Sequence, residues 1–228
     1  MPIKGLQPRR PAAVIFDMDG LMLDSERLDL WAWQTVAARR GFGFSESLHR
    51  TLIGRRTVET QADLRAHYGP DFDFATVYAE VRALWRETLR THGVPLKAGL
   101  LELLEFLDSA RIPRAVATST ARENALLSLG TLVDRMDAVV CGDEVARSKP
   151  APDIYLRAAE SLGVPASECL ALEDSIPGVT AAHAAGMTVV MVPDLVPPTA
   201  GVPYVCDSLH QVTAWLRATG PAAGARQS

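Results

Sequence analysis

A short apolar run near the start of the chain constrains the fold more than any other feature. Residues 12–16 are continuously apolar, and the run stops at Asp17. A strand inside a parallel sheet is covered on both faces, so its sequence lacks the polar alternation of a half-exposed strand. The run therefore predicts a fully buried strand of a parallel sheet.

From residue 95 onward, short apolar segments alternate with amphipathic segments of helical spacing. We expect further strands at residues 115–117, 138–141, 169–172 and 188–192, with helices between most of them. Such alternation is typical of βαβ units. It predicts an α/β fold with a Rossmann-like three-layer core and a mainly parallel sheet.

The first two predicted strands are roughly ninety residues apart, whereas a parallel crossover needs only about a dozen residues and a helix. The intervening residues, from 24 to about 92, show apolar positions at helical spacing. An inserted helical domain explains both observations. We therefore divide the chain into an α/β domain of residues 1–22 and 94–228 and an inserted helical domain of residues 23–93.

The composition narrows the classes of partner. A net charge of -4, without clustered basic and aromatic residues, argues against nucleic acid. No run of about 18 apolar residues could span a membrane. The three cysteines are odd in number and widely spaced, which indicates buried thiols in a reducing compartment. We expect a cytoplasmic monomer that acts on a small molecule.

Polar motifs follow four of the predicted strands. They are Asp17-Met18-Asp19-Gly20, Thr118-Ser119-Thr120, Ser148-Lys149-Pro150 and Glu173-Asp174-Ser175. Ligands of open α/β sheets bind at the carboxyl ends of the strands. If the motifs converge there, one pocket holds four carboxylates together with a lysine and several hydroxyls.

A pocket of this kind needs added positive charge. Two like charges about 4 Å apart repel by roughly 4 kcal/mol at an effective dielectric constant near 20. An all-oxygen site with few protein carboxylates suits Mg²⁺, which retains waters and shares a substrate phosphate. Lys149 and the N-terminal end of a helix starting near Ala121 would also neutralise phosphate oxygens. The pocket therefore indicates phosphate chemistry.

Several of these residues also have purely structural interpretations. Thr120 and Glu123 have the spacing of a capping box. Either Asp174 or Ser175 could cap the next helix, and Lys149 could be a solvated loop residue. The presence of such motifs after four successive strands favours a functional site.

In this order the motifs resemble those of the haloacid dehalogenase-like (HAD) superfamily. The resemblance rests on residues 14–20, Thr118, Lys149-Pro150 and residues 172–175, and it extends over nearly the whole chain. The insertion, which opens with Asp24, resembles the helical cap of the branch that holds β-phosphoglucomutase and phosphoglycolate phosphatase. The resemblance thus implies a catalytic core of residues 1–22 and 94–228 and a cap of residues 23–93.

The resemblance also implies roles for the residues. Asp17 would be the nucleophile that forms an aspartyl-phosphate, and Asp19 the general acid and then base. Thr118 and the Ser119 backbone would hold phosphoryl oxygens, and Lys149 would pair with both the phosphate and Asp17.

Two further sets of contacts follow from the same resemblance. Asp17, Asp174 and the Asp19 carbonyl would bind Mg²⁺, with Glu173 acting directly or through water. Thr120 and a cap loop with Arg55 and Arg56 would contact the substrate. For the two arginines, a solvated helix start is an equal alternative.

These roles predict a Mg²⁺-dependent phosphatase, a phosphoric monoester hydrolase acting on a small phosphorylated metabolite. A β-phosphoglucomutase-type phosphotransferase is the alternative, although Asp29 stands where those mutases carry a cap histidine. A metal-free dehalogenase would have no use for Asp19 and the second acidic pair. A non-catalytic binding module would not need all of these groups.

Overall fold

The computed structural model describes residues 10–53, 55 and 57–219. Five strands lie in these ranges: β1 (Ala13–Phe16), β2 (Arg114–Ala117), β3 (Ala138–Val140), β4 (Cys169–Glu173) and β5 (Thr188–Met191). The α-helices are α1 (Ser25–Arg40), α2 (Glu46–Leu52), α3 (Thr57–Tyr68), α4 (Phe74–His92), α5 (Leu100–Ala110), α6 (Arg122–Leu129), α7 (Asp153–Leu162), α8 (Ile176–Ala184) and α9 (Leu209–Ala218).

The strands form one parallel sheet in the order β3-β2-β1-β4-β5. Strand β1 is central and pairs with β2 on one side and β4 on the other. All four of its residues are buried, which accounts for its continuously apolar sequence. The predicted α/β fold with a parallel, Rossmann-like sheet is confirmed.

Helices cover both faces of this sheet. Successive strand side chains point to opposite faces. Ala13 and Ile15 of β1 pack in one apolar cluster with Ile154 of α7 and Ala181 of α8. Val14 and Phe16 face the other way and are equally buried. Two further helices of the same unit, α5 and α9, pack against each other. Because both faces of the sheet are packed with apolar side chains, polar residues can lie together at the edge formed by the carboxyl ends of the strands.

The chain divides into two compact units. One consists of residues up to Leu23 and from Leu96 onward, and it contains the sheet. The other, Asp24–Pro95, consists of α1 to α4. Its interior holds the apolar face of α4, and Trp33 stacks on Phe44 with ring centroids 4.9 Å apart.

Two expectations about the whole chain can be compared with the described residues. None of their helices has the length and apolar character needed to cross a bilayer. The three cysteines are free and buried, as their spacing indicated.

Candidate active site

The first and fourth motifs meet because β1 and β4 are neighbours in the sheet. The Asp17 backbone N–H donates to the Leu172 carbonyl at 2.9 Å, which continues the β1–β4 ladder past the end of β1. Asp17, Glu173 and Asp174 each offer a carboxylate oxygen, and these oxygens lie within 4.8 Å of one another. The sheet therefore brings together the acidic groups that the sequence placed after two separate strands.

Lys149 joins this acidic group from the loop before α7. Its ammonium donates to Asp17 Oδ1 at 2.5 Å and to Glu173 Oε1 at 2.6 Å. The Lys149 side chain is 6% exposed, so the alternative of a solvated loop residue is wrong. Burying a lysine and two carboxylates costs desolvation free energy. This cost is offset only when the charged partners are held in good hydrogen-bonding geometry.

Glu173 is completely buried and is held on both carboxylate oxygens. Oε1 accepts from Lys149 and from the Tyr155 hydroxyl, the latter at 2.7 Å. Oε2 accepts from the Asp174 and Ser175 backbone N–H groups, both at 3.1 Å, and from the Ser175 hydroxyl at 2.9 Å. Five donors thus fix the orientation of this carboxylate.

Two glycines make room for the carboxylates. A Cβ on Gly178 would lie 1.7 Å from Glu173 Oε1, so only glycine fits where α8 passes this side chain. Gly20 has a φ of +80°, and a Cβ there would lie 2.1 Å from Asp174 Oδ2. The Gly20 of the first motif is therefore required both by its backbone conformation and by the approach of Asp174.

The structure decides which residue caps α8. The Ser175 hydroxyl accepts from the Gly178 N–H at 3.2 Å, so Ser175 is the N-cap. Asp174 instead lies beside Gly20, with one carboxylate oxygen in the group shared with Asp17 and Glu173.

The capping box predicted for Thr120 is wrong. Ala121 occupies the N-cap position of α6. The Arg122 N–H donates to Asp143 Oδ1 at 3.0 Å, which ties one amide of this helix end to a carboxylate. The Thr120 hydroxyl donates to Asp19 Oδ2 at 2.8 Å and is therefore turned towards the first motif.

Thr118 and Ser119 lie at the end of β2 in a loop that is held on both sides. Thr118 is buried, its hydroxyl accepts from the Thr120 N–H at 3.1 Å, and it lies 3.4 Å from Asp19 Oδ2. A Cβ on Gly142 would lie 2.2 Å from the Ser119 carbonyl oxygen, so the segments that follow β2 and β3 approach closely there. The second motif is thus fixed beside Asp19.

The charges of this group are unbalanced. Burial, followed by the carboxylates of Glu173 and Asp19, raises the pKa of Asp17 to about 8 against the opposing effect of Lys149. The pKa of Lys149 is raised by Asp17 and Glu173, which outweigh the cost of its burial. Full ionisation of Asp17 at neutral pH therefore calls for more positive charge than Lys149 supplies.

The predicted substrate contacts of the helical unit have less structural support. Arg55 is half-exposed, and its Nε lies 3.6 Å from Asp63 Oδ2. Arg56 lies outside the described residues. A substrate contact at either arginine stays a prediction.

Asp29, which the family resemblance places where the mutases carry a cap histidine, forms contacts within the helical unit. Its Oδ1 accepts from Arg82 at 3.0 Å, and its Oδ2 lies 3.1 Å from Nε2 of the buried His49. The Arg82 guanidinium also lies 4.2 Å from the centroid of the Trp85 ring. Asp29 thus takes part in a network between α1, α2 and α4.

Sequence analysis missed Tyr155 and Gly178 as parts of this site. Tyr155 lies on the buried face of α7, where its apolar neighbours make it resemble an ordinary core residue. The available signal was chemical, because a buried tyrosine hydroxyl requires a hydrogen-bond partner. For Gly178, the signal was a glycine within a predicted helix, which usually has a packing reason.

Comparisons with known proteins point to one family. The family model of haloacid dehalogenase-like hydrolases matches residues 14–192. A probable pseudouridine-5'-phosphatase from Drosophila melanogaster is 36% identical over 194 residues, covering 82% of this chain and 83% of that protein. A phosphorylated carbohydrates phosphatase from Thermotoga maritima is 36% identical over 181 residues, covering 77% and 82%.

A solved structure has the same fold along almost its full length. It is named a putative β-phosphoglucomutase from Thermotoga maritima, with a TM-score of 0.77 and 31% identity, covering 90% of this chain and 98% of that one. Motifs, fold and relatives agree, and the chain belongs to the haloacid dehalogenase-like hydrolase family.

Proposed function

We propose that this chain is a Mg²⁺-dependent phosphatase that hydrolyses a small phosphorylated metabolite through an aspartyl-phosphate on Asp17. The observation that carries the proposal is the position of Lys149. Its buried ammonium bridges Asp17 and Glu173 at the carboxyl ends of β1 and β4. A carboxylate held in this way is positioned as a nucleophile, with a cation beside it to receive phosphate oxygens.

The enzyme class, a phosphoric monoester hydrolase, is confirmed by named phosphatases among the relatives. Two of their names refer to a phosphorylated nucleoside and to phosphorylated carbohydrates. By analogy, we propose a phosphorylated sugar or a similar compound as the substrate. The helical unit Asp24–Pro95 would act as the cap that selects it.

The residues fit a magnesium site. The ligand set would be Asp17, Asp174 and the Asp19 carbonyl, all of which offer the oxygen atoms that Mg²⁺ prefers. The carboxylate oxygens of Asp17, Glu173 and Asp174 within 4.8 Å of one another and the raised pKa of Asp17 both support a cation there. Because five donors already hold Glu173, we place it in support of the site rather than in direct contact with the metal. Bound Mg²⁺ would supply positive charge for the nucleophile and the phosphoryl oxygens.

In the first step, Asp17 attacks phosphorus, the new bond joins a carboxylate oxygen to phosphorus, and the bond to the leaving oxygen breaks. Asp19 gives its proton to that oxygen, so an alcohol departs. In the second step, water attacks the aspartyl-phosphate, Asp19 takes a proton from it, and Asp17 is released with free phosphate. Thr118 and Ser119 would hold the phosphoryl oxygens throughout.

The Thr120 hydroxyl has a defined part in this scheme. Its hydrogen bond to Asp19 Oδ2 orients the carboxyl group that must give and then take a proton. We therefore assign Thr120 to the orientation of Asp19, in addition to the predicted contact with substrate.

The proposal is tested by phosphate release from a panel of sugar, nucleoside and glycolate phosphates, with Mg²⁺ and then with EDTA. We expect metal-dependent release that is lost in Asp17→Asn and kept in Asp134→Asn, a matched change at an exposed aspartate. Acid-quenched enzyme should retain labelled phosphate in the wild type and in Asp134→Asn, but not in Asp17→Asn. Release that survives Asp17→Asn would refute the nucleophile, and isomerised sugar phosphate without free phosphate would favour the mutase.

A further inference from the structure

Tyr155 contacts the site from the buried face of α7 in two ways. Its hydroxyl donates to Glu173 Oε1 at 2.7 Å, and the same oxygen accepts from Lys149 at 2.6 Å. The Lys149 ammonium also lies 5.0 Å from the centroid of the Tyr155 ring. One side chain thus meets Lys149 both through a shared acceptor and through the face of its ring.

Packing explains the ring of Tyr155 but not its hydroxyl. The residue is fully buried, and Ile154 and Ala158 lie in the same apolar cluster. Phenylalanine would fill nearly the same space without bringing a polar group into the core. Burial, followed by the charge of Glu173, raises the pKa of Tyr155 well above its usual value, so the hydroxyl keeps its proton and acts as the donor.

We propose that Tyr155 is a positioning residue of the hydrolase: by fixing Glu173 Oε1, its hydroxyl holds the Lys149 ammonium against Asp17. The inference rests on the proposed function, because it assigns Lys149 and Asp17 to the reaction. Without the hydroxyl, Lys149 would be the only one of these two donors left to Oε1. Small displacements of charged groups at a reacting centre reduce the rate strongly.

The direct test is Tyr155→Phe. Its kcat and KM are measured at saturating Mg²⁺ with the panel phosphate that the wild type hydrolyses fastest. We expect kcat to fall about tenfold while KM stays within about threefold, because the lost interaction acts on the reacting groups rather than on the bound substrate. Circular dichroism and a melting curve establish that the variant is folded.

Two control variants separate positioning from stability. Ile154→Val removes a methyl group from the same buried helix face, so it should lower Tm by a few degrees and leave kcat unchanged. Tyr204→Phe removes a tyrosine hydroxyl elsewhere in the same unit and should change neither quantity. A Tyr155→Phe enzyme with kcat within twofold of the wild type would overturn the inference.

A double-mutant cycle tests whether Tyr155 acts through Glu173. In a Glu173→Gln background, assayed at raised enzyme concentration, Tyr155→Phe should cost less than about twofold, because the carboxylate that it orients is gone. A tenfold loss in both backgrounds would contradict the proposed route.

The same assays distinguish this inference from the proposed function. A wild-type enzyme that releases no phosphate from any panel compound would overturn the proposed function and the inference with it. An active wild type with an equally active Tyr155→Phe variant would overturn only the role of Tyr155.

Discussion

Gly178 offers a sharp test of how the site is packed, because two opposite effects meet at this residue. Alanine is favoured over glycine inside a helix by about 1 kcal/mol, so Gly178→Ala should stabilise α8 if only helix propensity mattered. However, the added Cβ would lie 1.7 Å from Glu173 Oε1 and 1.9 Å from its Cδ. The Glu173 carboxylate would have to move.

The cost of that movement can be worked from its hydrogen bonds. Each bond to a charged group contributes about 1.5–3 kcal/mol, so losing two of the five would cost about 3–6 kcal/mol. After the helix gain is subtracted, the free energy of unfolding should fall by about 2–5 kcal/mol. For a chain of this size the corresponding fall in Tm is roughly 5–20 °C. Activity should also fall, because Glu173 is a partner of Lys149.

Urea unfolding and phosphate release would be measured on Gly178→Ala beside Gly201→Ala. A Cβ on Gly201 has no neighbour within 4 Å, so this control should change the free energy of unfolding by less than about 1 kcal/mol. If Gly178→Ala were as stable and as active as the wild type, the argument that Gly178 makes room for a fixed Glu173 would be wrong.

Three further predictions concern the metal, the acid and the thiols. Mg²⁺ at about one hundred times its Kd should raise the free energy of unfolding of the wild type by about 2.7 kcal/mol, followed in a thermal-shift assay. Asp134→Asn is the control. If Asp174→Asn showed the same shift as the wild type, Asp174 would not be a metal ligand. Thr120→Val should lower kcat by about tenfold, because the hydrogen bond to Asp19 is lost. The control Thr180→Val loses only a hydrogen bond within its own helix and should leave kcat unchanged. Equal kcat values for the two variants would contradict the role of Thr120. Burial raises the pKa of Cys141, Cys169 and Cys206 from 9.0 to about 11. The thiols of the folded protein should therefore react slowly with a disulfide reagent at pH 8, and fast labelling of the native protein would refute their burial. The free energy of unfolding should fall as pH rises from about 9 to 11, because the thiols ionise first in the unfolded chain.

The sequence was sufficient for the fold and for the gathering of the four motifs. Continuous apolar strands predict a parallel sheet, and the carboxyl ends of parallel strands lie at one edge of it. The pairing of β1 with β4 was not predicted. This reasoning locates Asp17 and Asp174 without coordinates. It could not tell that Ser175 rather than Asp174 caps α8, since both residue types are good N-caps.

Other features depend on tertiary contacts that no local pattern records. The spacing of Thr120 and Glu123 fits a capping box, but Asp143, about twenty residues later, takes over the bond to α6, and Thr120 turns to Asp19. Likewise, the role of Tyr155 depends on α7 lying across the sheet near Glu173. The family resemblance implied the contact between Lys149 and Asp17. Sequence reasoning missed the long-range hydrogen bonds of Thr120 and Tyr155.

The central place of β1 has a consequence for how this protein is made. During synthesis β1 leaves the ribosome well before its two neighbours, which begin only at Arg114 and Cys169. Until then, a strand of purely apolar residues has no partner, and such a segment is prone to aggregation. The inserted unit Asp24–Pro95, which is compact in the structure, is made in that interval. The insertion thus lengthens the time during which β1 is unpaired, and the sheet is complete only after β5 has been made.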